Sequence, residues 1–110
     1  MSVDMFIIHS DGTEQHSCVC GQRTGEEFIG DLARQHGFRI LTGTYPAWAE
    51  DGDLEQLLHE LTVIRGACAA ELRAARRDPG DITMLDQRWA RVIDMLKPLA
   101  NERGWRVTFG

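Results

Sequence analysis

DLEQLLHELTVIRGACAAELRAARRDPGDITMLDQRWARVIDMLKPL, from Asp53 to Leu99, is the stretch whose reading decides the fold. Its apolar residues recur every three or four positions, the spacing of one helix face. Leu54, Leu57, Leu58, Leu61, Ile64, Cys68 and Leu72 form a first stripe. Ile82, Leu85, Trp89, Val92, Ile93, Leu96 and Leu99 form a second. Between them, Asp78-Pro79-Gly80-Asp81 gathers residues that reverse a chain. Asp53 is placed to cap the first of these helices, with Gln56 three residues on as its reciprocal partner. Pro98 lacks a helical N–H and should end or kink the second near Lys97. The stretch therefore predicts two long helices folded into an antiparallel hairpin. Val63, Ala67, Ala70 and Ala74 add a small-residue face, to be covered by a sheet or by a second copy of the chain.

Strands flank the hairpin. Met5-Phe6-Ile7-Ile8-His9 is apolar and β-branched, Asp11-Gly12 is a hairpin turn, and Gln15 to Cys20 returns. A two-residue turn would pair His9 with Glu14, Ile7 with His16 and Met5 with Cys18. Thr24-Gly25-Glu26-Glu27 has the form of a capping box, opening a helix that Gly37 stops. Phe38 to Thr42 reads as a third strand, Gly43 to Gly52 as a loop, and Trp105 to Phe109 as a closing strand with Trp105, Val107 and Phe109 on one face. The order is β-β-α-β-α-α-β. It predicts a single α+β domain over 1–110, a small, mainly antiparallel sheet packed on the helical hairpin.

The chain has 110 residues, with 43% hydrophobic and 26% charged side chains, proportions of a globular rather than a disordered chain. Net charge is −5, which argues against direct nucleic-acid binding. Residues 1 to 64 hold eleven acidic and three basic side chains, and residues 65 to 110 six acidic and nine basic. That asymmetry bears on which partners are steered in. No apolar run is long enough to cross a bilayer, and Met1 to Ile8 lacks the basic start of a signal peptide. Three cysteines, Cys18, Cys20 and Cys68, are an odd number that fits a reducing compartment. A cytoplasmic location is the expectation.

Three constellations could carry chemistry. In the expected register His9, Glu14, His16 and Cys18 share a face of the N-terminal hairpin, with Cys20 beyond them. These are zinc-ligand types, and a catalytic site needs three of them converging. The plainer reading makes Cys18 and Cys20 small core residues. Tyr45, Trp48, Glu50, Asp51, Asp53 and Glu55 bring two aromatics beside four carboxylates, the composition of a surface that grips a basic partner. The spacing fails as a calcium loop, because Thr62 stands where the last bidentate Glu belongs. Arg73, Arg76, Arg77, Arg88 and Arg91 could meet phosphate. The interleaved Glu71, Asp78, Asp81, Asp86 and Asp94 make an ordinary solvated face the stronger reading. There is no phosphate-binding loop, dinucleotide fingerprint, nucleophile elbow or H-E-x-x-H.

The segment from Tyr45 to Leu61, the net acidity, and the helix and final strand from Trp89 to Phe109 together resemble bacterial toxin-immunity inhibitors of the barnase-inhibitor type. The sequence departs from that type where the first long helix runs on to about Arg77. The resemblance implies an acidic inhibitor that meets a basic toxin or nuclease and needs no cofactor. The leading expectation is thus a cytoplasmic protein-binding module rather than an enzyme, plausible as an immunity or antitoxin-like inhibitor. The alternatives are a small metal-dependent or acid-base enzyme on the His9, Glu14, His16 and Cys18 face, and an acidic mimic of nucleic acid. A homodimer through the helical hairpin is a further expectation.

Overall fold

The computed structural model describes residues 1–110. Four strands, β1 (Ser2–Ile8), β2 (Glu14–Gly21), β3 (Ala47–Glu50) and β4 (Arg106–Phe109), form one antiparallel sheet in the order β2-β1-β4-β3. A π-helical turn (Thr24–Phe28) leads into α1 (Ile29–His36). The hairpin is α2 (Leu54–Ala74) and α3 (Pro79–Leu96), followed by a 3-10 turn (Lys97–Asn101). The fold is α+β, with the expected element order.

The helical hairpin lies where its stripes require. Leu57, Leu61 and Ile64 of α2 and Trp89, Val92, Ile93 and Leu96 of α3 are buried. They meet the inner face of the sheet, Val3, Met5, Ile7, Ala47, Ala49, Val107 and Phe109, in one core. At the reversal the Asp78 carboxylate accepts the Gly80 N–H at 3.0 Å, with Pro79 opening α3. Arg65 reaches from α2 to both carboxylate oxygens of Asp86 on α3, at 2.7 and 2.8 Å. Of the small-residue face, Val63 and Ala67 pack against the core while Ala70 and Ala74 are exposed. No helix is long and apolar enough to cross a membrane.

Three local expectations are corrected. The strand expected at Phe38–Thr42 is irregular backbone, and the third strand lies at Ala47–Glu50, inside the expected loop. The Phe38 N–H donates to the Ala33 carbonyl, and residues 39–41 turn their N–H groups onto a side chain instead of a strand. Glu60, 0% exposed, accepts from Arg39 N at 3.0 Å, Ile40 N at 3.2 Å and Leu41 N at 2.7 Å, and from Gln56 Nε2 at 2.7 Å. A buried carboxylate is tolerable only when its lone pairs are filled this way. The chain then folds against α1 at Gly43, where a Cβ would stand 2.6 Å from the Gly30 Cα.

Neither capping box forms. Arg23 is already helical, and Glu27 pairs with it rather than reaching back to Thr24. Asp53 accepts the Glu50 N–H at 3.0 Å, and Gln56 is committed to Glu60.

The hairpin register is one residue off. Gly12 adopts φ +89°, the Gly12 N–H donates to the His9 carbonyl, and the His9 N–H donates to the Thr13 carbonyl at 2.8 Å. That is a three-residue loop, so Ile7 pairs with Gln15 and Met5 with Ser17. A bulge then pairs Val3 with Cys20 and leaves Val19 extra.

Candidate functional site

A one-residue slip exchanges the faces of a strand. His16 and Cys18 consequently stand opposite Phe6 and Asp4, on the face of the sheet that no helix covers. Phe6 also faces Thr108, and Thr108 faces Trp48. One row, His16–Phe6–Thr108–Trp48, thus crosses all four strands over roughly 14 Å, three strand spacings. The His16 and Phe6 rings stack with centroids 4.7 Å apart. Trp48 is 57% exposed and Phe6 37%.

Carboxylates border this row. On one side run Glu14, Ile8, Arg106 and Glu50, in register across the sheet, with Arg106 held 3.2 Å from Glu50. On the other side Asp4 lies 3.7 Å from His16 Nε2. The open face is therefore an aromatic row with an acidic rim, its single arginine already engaged by a carboxylate.

The six residues expected to form one contact surface divide. Trp48 and Glu50 share the open face. Tyr45 turns inward, its hydroxyl donating to the Gly25 carbonyl at 3.0 Å, and burial pushes its phenol well above the usual range. Asp51 accepts the Gly104 N–H at 3.2 Å, and Asp53 holds the turn before α2. Glu55 is exposed in the first turn of α2, beside a shallow cleft with Arg39, Gln56 and His59. Phe6, Ile8, His16, Asp4 and Glu14 belong to the open face and were not part of the expected set. Their signal was present: Met5-Phe6-Ile7-Ile8 is apolar in both phases of a strand, so two of the four must face outward.

The hairpin ligand set does not converge. His9 lies away from His16 and Cys18: its Nδ1 meets Glu102 Oε1 at 2.9 Å and its Nε2 meets Gln15 Oε1 at 2.7 Å. Two oxygen partners favour the doubly protonated ring, and its pKa is raised by Gln15 first and Glu102 second. Cys20 is buried and its thiol is pushed up to about 12 by desolvation, whereas Cys18 is exposed rather than part of the core. No three His, Cys, Asp or Glu side chains are grouped so as to hold a metal ion. The arginine set also splits, with Arg73, Arg76 and Arg77 at the hairpin tip and Arg88 and Arg91 beside β2.

No family model matches the chain, and neither a characterised protein nor a solved structure matches it at a significant level.

Proposed function

We propose that this protein is a binding module that acts in the cytoplasm and docks a basic protein partner on the open face of its sheet, as a stoichiometric inhibitor of the immunity or antitoxin kind. One observation carries the reading: Trp48 and Phe6 stand in register on a solvent-facing sheet surface rimmed by Asp4, Glu14 and Glu50. A solvated antiparallel face is ordinarily polar. Aromatics left there contribute little to folding and supply the burial that dominates interface energetics. A carboxylate rim accelerates encounter with a positive surface and fixes its orientation.

The test uses the full chain as bait, alongside a Trp48→Ala/Phe6→Ala double variant. The reading expects a basic protein to be retained by the wild type and lost by the variant. With that protein in hand, Glu14→Gln/Glu50→Gln should slow association at low salt and leave it little changed at high salt. Retention of the same partner by both baits would overturn the reading, as would association that ignores salt and the carboxylate substitutions.

A further inference from the structure

The two edges of the sheet are built differently. β3 has four residues and follows Pro46, which gives little backbone to pair with. β2 has eight residues, with neither proline nor lysine among them. Short strands, prolines, lysines and bulges are the usual protection of an edge; the bulge of β2 lies at Val19, so the stretch from Glu14 to Cys18 is the open one. The bond between His9 and Thr13 sets the alternation of the ladder: Gln15 and Ser17 bond to β1, while the N–H and C=O groups of His16 and Cys18 point away from it.

Beside that edge runs α3. A groove of about 500 Å³ lies between His16 and Cys18 on the strand and Met84, Gln87, Arg88 and Arg91 on the helix. Met84 is 56% exposed, and both arginines are exposed. Arg65, Lys97 and Arg106 each have a carboxylate within 4.0 Å, and Arg88 and Arg91 have none. Two guanidiniums without a carboxylate partner therefore flank an edge of outward-pointing backbone groups in a chain that is acidic overall.

We infer that the groove between β2 and α3 takes an extended acidic peptide segment, which adds to the sheet as a fifth strand and sets alternate carboxylates against Arg88 and Arg91. The backbone of such a guest pairs with the outward N–H and C=O of His16 and with the outward N–H of Cys18, whose carbonyl already accepts from Ser17 Oγ at 3.3 Å. Every second guest side chain, about 6.8 Å apart, faces the helix. The arginines are three residues apart on α3, about 4.5 Å along its axis, within reach of two successive inward positions. Met84 offers an apolar contact next to them. A second copy of this chain is a poorer guest: its own β2 would bring Gln15 and Ser17, both neutral, to the arginines, and would gather four guanidiniums at one seam. The site adjoins the open face at His16 but is built on the strand edge and α3 rather than on Trp48.

The probe is a displayed library of random ten-residue peptides selected on the intact protein. The expected result is enrichment of carboxylates two positions apart. The selected peptide should bind Arg88→Glu/Arg91→Glu at least about tenfold more weakly, since charge reversal turns two attractive pairs into repulsive ones. It should slow amide exchange at His16 and Cys18, and it should bind Trp48→Ala unchanged. Selection on the charge-reversed protein should favour basic residues at the same spacing. An absence of acidic spacing, an affinity indifferent to charge reversal, or amides at His16 and Cys18 left unprotected would overturn the inference. Ten-residue oligouridylate displacing the peptide without protecting those amides would mark a polyanion site instead. Dimerisation that protects them would assign the edge to a second copy.

Discussion

Phe6 and Phe109 lie on adjacent antiparallel strands and differ by one residue of register. Met5 pairs with Phe109, and Phe6 pairs with Thr108. Met5 and Phe109 are sealed beneath the helices, whereas Phe6 and Trp48 are partly exposed on the other face of the same sheet. Identical backbone with a period of two thus gives one surface that makes the core and one that the core does not need. An aromatic on the inner face owes its position to folding. An aromatic on the outer face has no such account, and that difference turns the open face from composition into a candidate site.

The largest way to probe the contrast is Phe109→Ala. Removing a fully buried aromatic loses transfer energy and leaves a cavity, so unfolding in urea should show a loss of about 3–5 kcal/mol. A loss as small as that of an outer-face substitution would erase the distinction between the faces. Next comes Glu60→Ala, with an expected loss of about 3 kcal/mol, since buried N–H groups at Ile40 and Leu41 would have no acceptor and each such group costs about 1–3 kcal/mol. Glu60→Gln keeps one acceptor but turns an NH2 toward a backbone N–H, so its loss should be smaller yet clear. Equal stability of the alanine variant and wild type would mean that segment 38–41 does not depend on the clamp.

Glu60 also marks where sequence reading stopped short. The stripe of α2 was legible, and Glu60 sits between Leu57 and Leu61 on the same buried side, an acidic residue within an apolar stripe. Such a residue announces a partner without naming it, because the partner is a backbone segment some twenty residues away. Phe38 to Leu41 has the composition of a strand, and it is apolar because it is buried rather than because it pairs. β3 was hidden for the converse reason: Ala47-Trp48-Ala49-Glu50 is short, and its inward residues are alanines. The open face was lost to one residue of loop length. Asp11-Gly12 serves a two-residue turn or a three-residue one equally well, and only the second places His16 beside Phe6. The helical hairpin and the burial of Trp105, Val107 and Phe109 depended on periodicity, and the reversal at Pro79 on turn-forming residues, and all were legible.

A smaller effect tests the rim of the inner face, where β1 leaves the sheet. His9 bonds Gln15 and Glu102, which raise its pKa in the folded protein. A raised folded pKa stabilises the fold fully below the unfolded value near 6.5 and loses that contribution as pH rises through the folded value. The stability difference between wild type and His9→Ala should therefore be larger at about pH 5.5 than at about pH 8.5 in matched urea titrations. A difference that grows with pH would contradict the clasp.

The smallest expected effect on stability is also the most informative. Trp48→Ala should change unfolding free energy by no more than about 0.5 kcal/mol, as surface substitutions away from buried features do. Phe6→Ala loses its stack on His16, and a cross-strand pair of that kind is worth about 0.2–1 kcal/mol. If Trp48→Ala instead costs several kcal/mol, the indole is part of the folding core and the open face needs no partner to explain it. If both variants stay folded yet release the bound protein, the aromatics act in recognition, because a side chain that folding can spare while binding cannot has its counterpart on another molecule.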